Sequence, residues 1–298
     1  MSKPLVSVIT VVYNGAATLE TTLLSVIGQS YDRIEYILVD GGSKDGTLDL
    51  IDRHKSHIAT WVSEPDSGVY DAMNKGIRMA KGEWLFFLGS DDRFQDDDVL
   101  TSIFADPSNL EYDLLYGDVT SPSYKGLYDG PFTFEKLLSK NISHQAIFYR
   151  RRIFDRVGDY NLRYKMHADW DLNIRCFKNS YITTKWVGRH IADFGPEGIS
   201  SGHDIRFIQE VLIPERLRLL NRSGNKALRS LTAYDEWWRL LRNAQIADIT
   251  ALQEYAKGEK IPAAIRRMLK WQHRLPRKLL RTGVFSKMIM FVHYCTNF

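Results

Sequence analysis

The sequence predicts an α/β domain on a mainly parallel sheet flanked by helices, with a helical extension behind it. Three observations carry that prediction. Apolar, β-rich runs alternate strictly with amphipathic helical patterns through the first ninety residues, the rhythm of βαβ crossovers. The run Trp84-Leu85-Phe86-Phe87-Leu88 has no polar face, as expected of a strand covered on both sides. Beyond His203 the pattern is helical almost to the end.

Taken in order, residues 5–13, 34–40, 58–64 and 84–90 read as strands, with helices over 17–27, 47–55 and 70–80 between them. A helix near 97–104 and a strand over 114–119 follow. Gly, Pro, Tyr and Ser then crowd the chain as far as Pro131, which reads as loops or a hairpin. Residues 145–149 and 182–187 are further strands flanking a helix over 169–178. Pro214, Pro262 and Pro276 are expected to break the later helices. The domains are therefore residues 1–202 and a helical extension over 203–298.

At 298 residues, 44% apolar and 26% charged, the chain has the composition of a soluble globular protein able to bury a sizeable core. Cys176 and Cys295 lie far apart without metal-ligand spacing, so no disulfide framework is expected and a reducing compartment is. The start shows no signal-peptide pattern and no apolar run is long enough to span a bilayer, which points to the cytoplasm. No Gly-x-Gly-x-x-Gly run or Walker lysine motif occurs, which argues against a dinucleotide-binding enzyme or a P-loop NTPase. Net charge is +4, but after Glu259 there is no acid, while nine Lys and Arg fall between Lys260 and Lys287. A mildly acidic body thus carries a strongly basic tail.

Two strand ends carry the candidate chemistry. Asp91 and Asp92 follow the run 84–90 at a carboxyl end, where open α/β sheets bind ligands. Adjacent carboxylates stay ionised beside positive charge, which a hard divalent cation holding a diphosphate supplies; the alternative is an Asp-Asp turn capping the helix at 97–104. Asp40 ends the strand 34–40 and precedes Gly41-Gly42-Ser43. An Asp so placed can accept from a planar ring N–H, while the glycines admit a ligand close to the backbone. The alternative is a plain βα turn with Ser43 or Asp45 as an N-cap.

The segments Val8-Ile9-Thr10-Val11-Val12-Tyr13-Asn14, Val39-Asp40-Gly41-Gly42-Ser43-Lys44-Asp45-Gly46-Thr47, Ser63-Glu64-Pro65-Asp66-Ser67-Gly68-Val69-Tyr70-Asp71-Ala72-Met73-Asn74-Lys75-Gly76 and Ser90-Asp91-Asp92 resemble, in order and spacing, the family 2 glycosyltransferases of GT-A fold. The nearest resemblance is to the bacterial branch that builds capsule, colanic-acid-like or O-antigen polysaccharides, and it covers about residues 5–202. It implies a nucleotide half to about residue 110 and an acceptor half over 111–202. Thr10, Tyr13, Asn14 and Ser43 would line the uridine site, with Asp40 and Asp66 on the uracil edge. Asp91 would meet the ribose or bridge to the metal, and Asp92 would bind Mg²⁺ or Mn²⁺ on the diphosphate. Many members carry Arg where this chain has Met73, which leaves Lys75 to supply the phosphate-facing charge.

An inverting sugar transfer needs a base for the acceptor hydroxyl, and a carboxylate suits that task. His167-Ala168-Asp169-Trp170-Asp171 resembles the family's Glu-Asp-x-Asp segment, which puts Asp169 at the base position and Ala168 where a Glu usually stands; the alternative for Asp169 is a helix N-cap. The segment 198–202 resembles the family's mobile loop over the donor, and His203 beyond it is a candidate metal ligand. His144 and Gln145 match a position near the acceptor, with structural packing as the alternative. The acceptor implied is a hydroxyl of a glycan or lipid-linked oligosaccharide. The basic tail, residues 260–298, interleaves apolar and cationic residues in a way that suits an amphipathic helix on the cytoplasmic face of the inner membrane. Alternatively its apolar stripe packs on the catalytic domain or on a second copy of the chain. No nucleic-acid-binding module accompanies the charge. Two further readings stay open: a sugar-nucleotidyltransferase, which would normally show a Gly-rich N-terminal loop with Arg and Lys, and a non-catalytic partner of a glycan-assembly complex.

Overall fold

The computed structural model describes residues 3–120, 126–195, 204–222, 231–246 and 248–272. Two compact units follow one another along the chain, Met1–Gly202 and His203–Phe298.

The first unit is built on one eight-stranded sheet of order β3-β2-β1-β4-β7-β6-β8-β5. Its strands are β1 (Val6–Val12), β2 (Ile34–Asp40), β3 (Thr60–Ser63), β4 (Trp84–Gly89), β5 (Arg93–Phe94), β6 (Leu114–Thr120), β7 (Ile147–Arg150) and β8 (Thr184–Asp193). Helices α1 (Leu19–Ile27), α2 (Thr47–His54) and α3 (Val69–Met79) make the crossovers among the first four strands, all of which pair in parallel. Antiparallel β7 then separates β4 from β6, β8 runs parallel to β6, and β5 pairs antiparallel to β8. The sheet is therefore mixed, its parallel half made by the regular βαβ alternation and its other half by shorter connections.

The apolar run at β4 behaves as its pattern requires. Residues Trp84 to Phe87 have no exposed surface, and successive side chains point to opposite faces. Phe86 stacks on Phe94 and Phe148 with ring centroids at 4.9 and 4.4 Å, whereas Phe87 meets Tyr149, Phe154 and Tyr160 edge-on. Burying each such side chain stabilises the fold by about 1.5–3 kcal/mol. Register places Val12 beside Asp40 and Val11 beside Gly89, so β1, β2 and β4 end together along one edge of the sheet.

Helices α4 (Val99–Phe104), α5 (Phe134–Ser139), α6 (Arg152–Val157) and α7 (Ala168–Lys178) complete this unit. The sequence pattern misses α5, α6 and β5, each of six residues or fewer, because they are too short to display a period. Strand β8 runs six residues past the expected end at 187, through Gly188 and a register shift opposite Tyr116 and Asp118 that interrupts its alternation.

In the second unit α8 (Ile205–Phe207) continues through a π-helical turn (Ile208–Leu212) into α9 (Ile213–Arg222). Pro214 therefore lies inside a helical run and does not break it. The wider turn before it relieves the clash a proline ring makes with the preceding carbonyl. Helices α10 (Leu231–Asn243), α11 (Ile249–Tyr255) and α12 (Ala263–Gln272) follow. Pro262 does mark a break, directly before α12, and Pro276 lies outside the described residues. Within the basic tail, Ile265 and Leu269 of α12 are buried, while Arg266, Arg267 and Lys270 are exposed. The described part of the apolar stripe thus faces protein; the rest of the tail, 273–298, lies outside the described residues. Among the described residues no helix is long and apolar enough to cross a membrane.

Candidate active site

The loops that leave β1 and β2 are stitched together where the strands end. Asn14 adopts a positive φ of 51°, a conformation Asn tolerates. Its backbone N–H donates to Ser43 Oγ (2.7 Å) and its side-chain oxygen accepts from Lys44 N (3.0 Å). Asp40 is fully buried. Its Oδ2 accepts from Gly42 N and Ser43 N, both at 3.0 Å, and from Ser63 Oγ at 2.6 Å, while Ser43 Oγ donates to Oδ1. Asp40 and Ser43 therefore shape the turn from within. Asp45 accepts from Ala16 N and from Thr47 N, at 3.0 and 3.1 Å, just before α2.

Asp66 and Tyr13 frame the mouth of that turn. A side chain at Gly41 would meet Asp66 Oδ2 at 2.6 Å and the Tyr13 ring at 3.3 Å, so only glycine keeps the backbone open between them. Tyr13 is 67% exposed, an aromatic face presented to whatever enters. Asp66 Oδ1 accepts from Gly68 N (2.8 Å) at the start of α3. Thr10 is not at this mouth. It sits mid-strand, paired to both Leu38 and Leu88, fully buried and accepting from Tyr36 Oη (3.2 Å), because β1 runs two residues further before leaving the sheet. Lys75 is held beside the same segment as Asp66. Its ammonium lies 2.9 Å from both Glu64 Oε1 and Pro65 O, and Met73 is buried in the core.

Asp91 and Asp92 occupy unequal positions. Asp92 is 2% exposed and folds back beneath the strand end. Its Oδ2 accepts from Gly89 N (3.1 Å) and Gln145 Nε2 (2.9 Å), and its Oδ1 from Gly195 N (2.9 Å). A side chain at Gly89 would strike that carboxylate at 2.5 Å, which is why the strand ends on glycine. Asp91 is only partly buried and abuts Gly195, where a Cβ would lie 2.8 Å from Asp91 Oδ2. Ser90 faces Gly15 just past the end of β1, 3.5 Å from where a Cβ there would lie, so the ends of β1 and β4 adjoin. Among the described residues no three His, Cys, Asp or Glu side chains gather as a metal cage. His203 and the loop 198–202 lie outside the described residues.

Asp169 stands in the first turn of α7 and is 8% exposed. Tyr70 Oη of α3 lies 2.8 Å from Oδ1, Asn141 Nδ2 donates to Oδ2 at 2.7 Å, and His144 Nδ1 lies 3.9 Å from Oδ2. Burial, and next the negative charge of Asp169, push the Tyr70 hydroxyl well above its ordinary pKa, so it remains a donor. Tyr70, Asn141 and Gly195 are functional candidates that the sequence reading did not single out. Tyr70 lay inside a quoted segment, but Asn141 and Gly195 sit in irregular chain with no local signal.

A family model for glycosyl transferase family 2 matches residues 7–173, more than half of the chain and every residue of the site just described except Gly195. The chain belongs to that family. Among relatives of this glycosyltransferase, the PGL/p-HBAD biosynthesis glycosyltransferase of Mycobacterium tuberculosis is 41% identical over 224 residues, covering 73% of this chain and 88% of that protein. Among solved structures, S. aureus TarS 1-349 in complex with UDP-GlcNAc superposes with a TM-score of 0.63 at 15% identity, over 98% of this chain and 92% of that one. The mannosyltransferase PcManGT of Pyrobaculum calidifontis, in complex with GDP-Man and Mn²⁺, gives 0.56 at 18% identity, over 97% and 86%. At these identities the two structures establish a shared fold.

Proposed function

We propose that this family 2 glycosyltransferase is a metal-dependent inverting enzyme. It moves a sugar from a UDP-sugar to a hydroxyl of a glycan or lipid-linked oligosaccharide in bacterial surface polysaccharide synthesis. The observation that carries the reading is the Asp169 carboxylate at the start of α7, pinned by Tyr70 and Asn141 and facing His144. Tyr13 stacks on the base and Asp66 accepts from its ring N–H, while Asp40 and Ser43 hold the turn that lets it approach. Asp91, the less buried of the two, is the carboxylate assigned to the cation, and Asp92 fixes the strand end beside it. A hard ion such as Mn²⁺ or Mg²⁺ is commonly held by one or two carboxylates plus substrate phosphates, a donor set that Asp91 and a diphosphate fit. When bound, such an ion stabilises negative charge on the leaving UDP. Asp169 accepts the acceptor hydroxyl proton as that oxygen bonds to the anomeric carbon and the bond to the diphosphate breaks. His144 and Gln145 stand on the acceptor side. Exposed Arg266, Arg267 and Lys270, continued by the basic run behind them, support a place on the cytoplasmic face of the inner membrane.

The test is a thermal-shift panel of nucleotide sugars with Mn²⁺, since a bound donor raises stability with the logarithm of its concentration over its Kd. Asp169→Asn should keep the donor shift and lose most transfer. Near-normal transfer by Asp169→Asn would remove it from the base role.

A further inference from the structure

We infer that a hydrogen-bonded chain through the core, Tyr149–Asn173–Asn141, together with Tyr70, sets the position of the Asp169 carboxylate, making these four positioning residues for sugar transfer. The inference rests on the assignment of Asp169 as base.

The direction of every bond in the chain is fixed from the Asp169 end, because a carboxylate only accepts. Tyr149 on β7 is fully buried, and burial pushes its hydroxyl well above its ordinary pKa, so it donates. It does so to Asn173 Oδ1 at 2.8 Å. With that oxygen occupied, Asn173 presents Nδ2 to Asn141 Oδ1 (2.9 Å), and Asn141 in turn presents Nδ2 to Asp169 Oδ2 (2.7 Å). Turning over either amide sets two donors or two acceptors face to face. The Asp169 carboxylate therefore fixes which end of each amide faces it, and the Tyr149 hydroxyl closes the chain by donating, holding Asn141 through Asn173 without touching the base. Tyr128 Oη donates to the Asn141 carbonyl (2.9 Å) and holds that backbone.

On the other oxygen Tyr70 closes the clamp, its ring packed against Tyr160 at 5.4 Å between centroids. Tyr70 lies on the first turn of α3, four residues after Asp66, which caps the same helix through Gly68 N. The base is thus held by one helix that begins at the nucleoside mouth and by a chain anchored in the sheet. One donor per oxygen stops the carboxylate rotating away from the side that His144 faces.

The experiment compares Tyr70→Phe, Tyr149→Phe, Asn141→Asp and Asp169→Asn with the wild type in the full-length protein. Turnover is read as nucleotide release with whichever of UDP-GlcNAc, UDP-glucose or GDP-mannose the wild type hydrolyses fastest. A misplaced catalytic group of this kind costs on the order of 10²-fold. Tyr70→Phe and Tyr149→Phe are expected to lower kcat about 10-fold or more. Asn141→Asp, which sets a carboxylate against Asp169, is expected to cost more than about 100-fold. Donor KM and the affinity for UDP with Mn²⁺ should stay within about twofold in all three. A crystal structure of Tyr70→Phe should show the Asp169 carboxylate displaced. Should Tyr149→Phe fail to fold, the partly exposed Asn141→Asp carries the test. Wild-type kcat in Tyr70→Phe and Asn141→Asp, with Asp169→Asn inactive, overturns the positioning chain and leaves the base in place. Wild-type kcat in Asp169→Asn overturns both.

Discussion

Gln145 Nε2 donates to Asp92 Oδ2 at 2.9 Å, and its neighbour His144 lies 3.9 Å from Asp169. One short turn, His144–Ala146, therefore touches the acid at the end of β4 and the acid at the start of α7. The two halves of the first unit are registered at the place where donor and acceptor would meet. Asp92 is the hub of that contact. Its carboxylate takes three hydrogen bonds while remaining 2% exposed.

From this follows a separation of Asp91 from Asp92. Asp92→Ala strips a partner from the Gly89, Gly195 and Gln145 donors, and each buried donor left unpaired costs about 1–3 kcal/mol. Its Tm should fall by about 4 °C or more, as roughly 2–4 °C accompanies each kcal/mol in a domain of this size. Asp91→Asn should remove the gain in UDP affinity that Mn²⁺ provides. Calorimetric titration with and without EDTA checks this. A stable Asp92→Ala protein that has lost only the metal effect would reverse the assignment.

Gly195 carries the second prediction. A methyl group there would lie 2.5 Å from Asp91 O and 2.8 Å from its carboxylate, closer than such atoms approach. Gly195→Ala should push Asp91 aside, weakening UDP–Mn²⁺ binding about tenfold, which is ~1.4 kcal/mol, with a smaller effect on Tm than Asp92→Ala. Unchanged affinity would show that Asp91 does not face the diphosphate.

These relationships also mark how far the sequence is legible. The Phe86-Phe87 run reveals a two-sided strand because burial on both faces leaves no polar position. Strict alternation yields the parallel half of the sheet, but not the spatial order of its strands. Asp40 is visible as a strand-end acid, but that it is sealed by Ser43 and Ser63 is not, since Ser63 comes from a neighbouring strand. Thr10 is misplaced because composition does not say at which residue a strand leaves the sheet. Lys75 pairs with Glu64, a contact that the sequence pattern does not announce. Gln145 meets Asp92 from 53 residues away and Gly195 from 103. Such pairings belong to the fold and leave no local pattern.

Tyr13 offers a test of the nucleoside mouth that stability does not confuse. Its ring is 67% exposed, so Tyr13→Ala should leave the thermal transition where it is. Stacking of a base on an aromatic ring is worth about 1–3 kcal/mol. UDP affinity should therefore drop about tenfold or more, and Tyr13→Phe should retain it. Equal affinity in all three proteins would place the base elsewhere.

Acid tolerance provides the last prediction, through Asp113 at the foot of β6. Burial by itself pushes its carboxyl up, but Arg152 Nε at 2.5 Å and the Thr183 N–H and hydroxyl at 3.2 and 3.3 Å outweigh burial and hold it below the usual carboxylate range. A carboxylate whose pKa is depressed in the folded state adds stability above its unfolded pKa of about 3.9 and loses it as pH falls through the folded value. Arg152→Leu should then lower Tm by a few degrees at pH 7, on the order of 1 kcal/mol once the exposure of the arginine is allowed for. The gap to the wild type should narrow progressively below about pH 4 and close only once pH is below the depressed folded pKa, where Asp113 is protonated in both proteins. Thermal melts across pH 3 to 7 measure it. A gap that stays constant down to pH 3 would mean that Arg152 stabilises by packing and not through the charge of Asp113.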